Sequence, residues 1–227
     1  MLTQDQRSFL QHSLSFWPKL TPEQQQQLWQ HVVPVVYEKG RCLHHVHDSC
    51  VGLLLISKGQ LRTYMLSENG KEITLYRLYT GDICILSAAC VLDAITFEVA
   101  IDAEEDTRVL QIDAPFFHQL VEQNIYVKCF GYELATSRFS DVMWSMQQIL
   151  FMNADQRLAI FLIDELSKHN GDELQLTHEQ IARYMGSARE VVTRLLRYFV
   201  QEGIVQASRG TLKIIDRPKL YRLAQAT

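Results

Sequence analysis

The spacing of apolar residues changes along this chain, and each change predicts a different kind of element. Thr21-Pro22-Glu23 is a helix start, a capping threonine followed by proline and an acid, and the helix it opens runs to about His31. Between Val35 and Asp113 the apolar residues fall in short runs broken by glycine and polar turns, which predicts strands. Gly59, Gly70 and Gly81 stand eleven residues apart, with Gln60–Leu66 and Glu72–Tyr79 between them. That interval suits successive strands of an antiparallel roll, whose interior is a natural small-ligand cavity. Pro115 opens a short helix, and a long one runs from about Asn124 to Leu150. Along it Tyr132, Ala135, Phe139, Val142, Met146 and Ile149 step by three and four in alternation. This heptad seam predicts pairing with another helix, most simply its own copy across a two-fold axis. The alternative is a single helix packed on its own roll. Asn153 breaks the helix and caps the next, Asp155–Lys168.

Residues 177–200 carry the most specific pattern. Thr177 and Gln180 have the spacing of a capping box, and Ile181, Ala182 and Met185 give the helix they open its inner side. Gly186 supplies the left-handed residue of a tight turn, and Ser187 caps a second helix. Val192, Leu195, Leu196 and Phe199 face inward at helical spacing, leaving Arg189, Glu190, Thr193, Arg194 and Arg197 to solvent. Two amphipathic helices in an ordinary bundle would share this division. The residues after the second helix separate the two readings. Residues 203–215 read as two short strands around a turn at Arg209-Gly210, and a helix-turn-helix with a basic hairpin behind it is a winged helix suited to DNA.

The fold class is therefore α+β, in three parts: residues 1–123 a β-roll with N-terminal helices, 124–152 a dimerisation helix and hinge, and 153–227 a winged helix-turn-helix. At 227 residues and 47% apolar content the chain has material for two modest cores. Its net charge of −4 is unevenly spread. Residues 1–152 hold 11 Lys and Arg against 17 Asp and Glu, whereas residues 153–227 hold 11 against 9. Within 187–217 six basic residues (Arg189, Arg194, Arg197, Arg209, Lys213, Arg217) face three acidic ones, a locally basic end on an acidic body. No apolar run is long enough for a membrane span, and the N-terminus lacks the basic start and apolar core of a signal peptide, so a cytoplasmic protein is expected. Five cysteines without a CxxC pair argue against a disulfide framework and a standard zinc site. No nucleophile–base pairing or phosphate loop suggests an enzyme.

Roll, long helix and winged helix together resemble the Crp/Fnr superfamily of bacterial transcription regulators, across essentially the whole chain. Ser187-Ala-Arg-Glu-Val-Val-Thr-Arg is similar to the family's Ser-Arg-Glu-x-x-x-Arg signature with one residue inserted after the serine, and Gly70–Asp82 to the strand leading into its effector loop. The resemblance implies that Arg189, Glu190 and Arg194 read bases, arginine donating to guanine O6 and N7 and glutamate accepting from cytosine N4. Thr193 sits where some members meet a thymine methyl. Glu190 has a rival duty in a capping box with Ser187. The candidate DNA contacts are thus Thr177, Ser187, Arg189, Glu190, Thr193, Arg194, Arg197 and Arg209, on a palindromic operator with half-sites resembling TGTGA or TTGA. The implied partners are double-stranded DNA, a second copy of the chain and, for an activator, RNA polymerase. A β-roll that regulates a partner enzyme through protein contacts is the alternative.

The effector is harder to name. The candidate pocket comprises Gly81, Ile83, Cys84, Leu86, Ser87, Cys90 and Phe97, with Val142 and Met143 from the long helix. After Gly81-Asp82 the chain lacks the Gly-Glu-Leu and Arg-Ser of the cyclic-nucleotide members, and with no arginine opposite a phosphate a buried anion would have no charge partner. This argues against cyclic AMP. The absence of cysteine from residues 1–41 argues against an N-terminal iron–sulfur cluster. Haem carriers resemble Thr80–Val91, yet their ligand positions match Ser87 and Ile85, one residue from Cys84; haem in another pose stays open. Cys42, His44, His45, His47 and Cys50 crowd nine residues, as metal or haem ligands or as ordinary strand and turn residues that alternate in facing. Cys84 and Cys90 read as redox sensors or as small apolar filler. An uncharged or weakly polar effector fits this lining best.

Overall fold

The computed structural model describes residues 2–45, 50–87, 99–168 and 171–225. The chain divides into two compact units, Met1–Ser67 with Leu75–Met143, and Glu68–Thr74 with Trp144–Thr227.

Two helices open the first unit, α1 (Gln4–Ser13) and α2 (Pro22–Gln30), capped by Thr3 and Thr21. Each threonine hydroxyl accepts from the backbone N–H three residues on, and the Gln6 or Gln24 side chain accepts from the threonine N–H in return. Eight described strands then build two four-stranded antiparallel sheets. One runs β1 (Val32–Tyr37), β8 (Thr107–Ile112), β3 (Leu53–Lys58), β6 (Ile83–Cys84); the other β2 (Cys42–His44), β7 (Ala100–Ala103), β4 (Gln60–Leu66), β5 (Glu72–Tyr79). Pro34 has no N–H to give a ladder, and β1 is accordingly an edge strand paired with β8 alone. Leu53, Leu54, Leu55 and Ile56 are buried on both faces of β3, which has β8 and β6 at its edges and α1 packed against it. Gly52, at φ +119°, lets the chain pass against β8: a Cβ there would lie 2.0 Å from the Ile112 carbonyl oxygen.

Asp113 caps α3 (Ala114–Gln123) through the Phe116 N–H, 2.9 Å away, with Pro115 in the first turn. The long helix α4 spans Ile125–Phe151. Val127, Phe130 and Gly131 are buried, Leu134, Ala135 and Val142 pack on the roll's core, and the Phe130 ring meets Phe16 edge-on at 4.9 Å. The opposite stripe stays open, with Tyr132, Phe139, Met146 and Ile149 between 38 and 62% exposed.

The second unit has its own core. It contains α5 (Ala154–Lys168), the short strand β9 (Glu173–Leu174), α6 (His178–Met185), α7 (Arg189–Gln201), a hairpin β10 (Val205–Ser208) and β11 (Thr211–Ile214), and α8 (Arg217–Ala224). Leu158, Leu162, Ile181, Val192, Leu196, Phe199, Ile204 and Leu220 close the interior between these elements. Neither β9, which pairs with β11, nor α8, which packs on α5, was expected from periodicity. No described helix is long and apolar enough to cross a membrane.

Candidate nucleic-acid interface

The two helices of the reading end are built as their sequence dictates, with one exception. Thr177 and Gln180 form the full capping box of α6: the Thr177 hydroxyl accepts from the Gln180 N–H at 3.2 Å, and the Gln180 side-chain oxygen accepts from the Thr177 N–H at 2.9 Å. Gly186 takes φ +60° and ψ +40°, so the Ser187 N–H can turn back to the Ala182 carbonyl at 2.9 Å. The exception is Ser187. The N-cap of α7 is Ala188, which makes no side-chain bond, so Ser187 does not cap the helix and Glu190 belongs to no capping box. Ala188 stands between Ser187 and the first turn, so the serine lies one position too far back to cap it. Glu190 is thereby released from its rival duty.

Val192, Leu196 and Phe199 are buried and Leu195 is half-buried, which turns Arg189, Glu190, Arg194 and Arg197 outward. These four and Thr193 line one shallow depression of about 320 Å³. Thr193 is half-buried, and its hydroxyl lies 3.0 Å from Nδ1 of His178 on α6. His178 is a positioning contact that sequence reasoning missed; the only signal was its place at the first position of α6. Arg189 stands 3.8 Å from Glu179, both well exposed, a pair of small energetic weight. Beside this depression a groove of about 310 Å³ runs between the start of α6 and the hairpin, lined by Thr177, His178, Arg189, Ser208 and Gly210 among others. Arg209 and Gly210 form the exposed two-residue tip of that hairpin.

The basic end is narrower than a count of residues suggests. Arg217 donates from Nε to Asp172 at 2.7 Å, and Lys213 lies 3.8 Å from Glu173. Arg194, Arg197 and Arg209 have no ion pair among the described residues, and these three with Arg189 form the available cationic surface.

Residues 156–223 match the model of the Crp-like helix-turn-helix domain, and residues 34–124 that of the cyclic nucleotide-binding domain. A crystal structure of a Crp/Fnr-family chain from Eubacterium rectale superposes with a TM-score of 0.89 at 42% identity, covering 95% of this chain and 100% of that one. The chain belongs to the Crp/Fnr family. It is similar to the cyclic AMP receptor protein of Thermus thermophilus (25% identity, 83% of this chain and 87% of the relative) and to the transcriptional activator FnrA of Stutzerimonas stutzeri (27%, 82% and 78%). Members of this family are DNA-binding transcription regulators and not enzymes, and so is this chain.

In this Crp/Fnr regulator the candidate pocket residues separate. Ile83, Cys84, Leu86 and Ser87 are all buried in the roll, whereas Gly81 is exposed at a turn and Met143 is exposed on α4. Val142 is half-buried on the roll, and Cys90 and Phe97 lie outside the described residues, as does His47. The Ser87 hydroxyl donates to the Gly52 carbonyl at 2.6 Å and lies 2.9 Å from that of Cys84, so it pins the turn after β6 to the start of β3. Burial holds the Cys84 thiol above its ordinary pKa, against the opposing pull of its Ser87 hydrogen bonds. A protonated, enclosed thiol is a poor redox nucleophile, which favours the filler reading of Cys84. Cys42 is pushed up to about 11 by burial and by Asp102 beside it. Cys50 is disulfide-bonded, which corrects the expectation of unbridged cysteines, while Cys42, Cys84 and Cys129 are free thiols. No group of three or more potential metal ligands occurs among the described residues.

One arginine of the long helix packs against the roll. Arg138 on α4 has only 15% of its side chain exposed and lies with its guanidinium 5.3 Å from the ring centroid of Tyr76 on β5. Leu134, Arg138 and Val142 step by four along the stripe that α4 turns to the roll, and Ala135 and Val142, two of the residues expected in the dimer seam, pack on the roll's core.

Proposed function

We propose that the chain is a homodimeric regulator that binds a two-fold palindromic DNA site in the cytoplasm, gated by an effector in the β-roll. Its working parts are the roll at 1–123, the dimer helix at 124–152 and the reader at 153–227. One observation carries the reading: Arg189, Glu190, Thr193, Arg194 and Arg197 share one open depression on α7, held outward by a buried apolar face. Arg194 and Arg189 have the reach and donors for guanine, and Glu190, free of capping, can accept from cytosine. With its hydroxyl at His178, Thr193 has its methyl to offer, the group that suits a thymine methyl. Arg197 and Arg209 would hold phosphates and set register without reading sequence. Tyr132, Phe139, Met146 and Ile149 support pairing of α4 with its copy, because apolar side chains at heptad spacing bury each other across a two-fold. Effector binding would shift the paired helices and the spacing of the two readers; an activator would also engage RNA polymerase.

The test is a gel shift with a palindromic TTGA-type fragment, its half-site and a scrambled fragment, together with sedimentation of wild type and Phe139→Glu. A dimeric wild type that prefers the palindrome over the half-site, and a monomeric variant that loses this preference, are expected. Equal binding to all three fragments would overturn the reading.

A further inference from the structure

Thr193 is the one uncharged side chain among the five that line the reading depression of α7. It stands at the middle of that face, four residues after Arg189, three after Glu190 and four before Arg197, so a base facing the centre of the helix meets it. A threonine offers such a base two different groups. Its hydroxyl donates or accepts and so suits any base edge, whereas its methyl suits the methyl of a thymine. A single rotation about χ1 decides which group is presented. In a helix, threonine divides between two rotamers because its hydroxyl can also reach a carbonyl one turn back.

His178 makes the choice. The Thr193 hydroxyl lies 3.0 Å from Nδ1 of His178, and the bond joins two different helices. Either tautomer of the ring keeps the hydroxyl oxygen at the imidazole: a bare Nδ1 accepts its proton, and a protonated one donates to its oxygen. Both ends of the bond are fixed. His178 is the first residue of α6, directly after the capping Thr177, and Thr193 follows the fully buried Val192. The bond also lies between two depressions. His178 lines the groove beside the hairpin, Thr193 lines the reading depression, and Arg189 lines both. With its hydroxyl occupied on the α6 side, Thr193 has its methyl left for a base.

We propose that His178 is a specificity-determining residue that acts through Thr193: by holding the hydroxyl it makes Thr193 read one pyrimidine of each half-site by its 5-methyl group, a role that rests on the DNA reading proposed above. Thymine and 5-methylcytosine share that methyl. Cytosine methylation at the same position therefore raises affinity too, which readout of hydrogen-bonding edges alone would not do. Burying one methyl group is worth about four-fold in affinity.

The test is a binding series with the full chain on the palindrome. Each thymine of one half-site, on both strands, is replaced in turn by deoxyuridine, which differs by the methyl alone. Wild type should lose about four-fold at one position, and at that position 5-methylcytosine should exceed cytosine by the same factor. Thr193→Ser keeps the hydroxyl and removes the methyl, and His178→Ala keeps the methyl and frees the hydroxyl; both should bring the thymine-to-uracil ratio close to one. The double variant His178→Ala, Thr193→Val should restore the ratio, because valine carries a methyl on both branches and needs no partner to choose between them. A His178 that merely supported the fold would not be bypassed in this way. No thymine preferred over its uracil, 5-methylcytosine no better than cytosine, a His178→Ala protein with the wild-type ratio, or a double variant that stays near one would each overturn the assignment. Binding of the unmodified palindrome against the scrambled fragment is scored in the same series. A wild type that selects the palindrome yet ignores the methyl overturns this role alone, whereas one that binds both fragments alike overturns the regulator reading and this role with it.

Discussion

The two ends of this protein use arginine in opposite ways. On α7 the arginines stand in water, held there by a buried strip of Val192, Leu196 and Phe199, and their charge is available to a partner from outside. In the roll Arg138 is taken out of water, laid over the Tyr76 ring and tied to Asp141. The exposed arginines stay ready because solvent screens them and little has to be broken to engage them. The enclosed one is already committed, its Nη1 held by Asp141 and its face laid on an aromatic ring. An output surface benefits from the first arrangement, whereas the second ties the long helix to the roll.

The largest test of this contrast removes the support rather than the charge. Phe199→Ala, a fully buried ring in the reading end, should cost about 3–5 kcal/mol, seen as loss of the C-terminal unit's melting transition together with all DNA binding; the roll's own transition should persist. Next in size is Arg194→Ala. Its side chain is exposed and unpaired among the described residues, so Tm should hold while selectivity at one guanine falls by about 1–3 kcal/mol, read by binding-site selection. Unchanged selectivity would remove Arg194 from the reader set. The smallest effect compares two caps. Thr177→Ala should destabilise by about 1 kcal/mol, whereas Ser187→Ala, at a residue that caps nothing, should leave chemical denaturation midpoints where they were.

Much of the reading end was legible because its signals are local. A capping threonine, a glycine that must take positive φ and an apolar strip at helical spacing all act within one or two turns, and α6, Gly186 and α7 obey them. The same holds for β4 and β5, where glycines punctuate strands whose limits coincide with the expected Gln60–Leu66 and Glu72–Tyr79. The Ser187 cap failed for a local reason as well: the helix starts at Arg189, and Ala188 takes the cap position. The misjudged charges failed for a non-local one. Lys213 and Arg217 meet Glu173 and Asp172 only when β9 is laid beside β11, and no spacing along the chain announces that pairing.

Sequence by itself determined the class of the molecule, the order of its parts and the identity of the residues that α7 turns to solvent, because periodicity and caps decide which side of a helix sees water. Only the tertiary structure decided that Thr63, Tyr76 and Arg138 belong together. They come from two strands and a helix, the helix lying tens of residues beyond the strands, and the Arg138 guanidinium and the Thr63 hydroxyl reach Tyr76 only once the roll has closed.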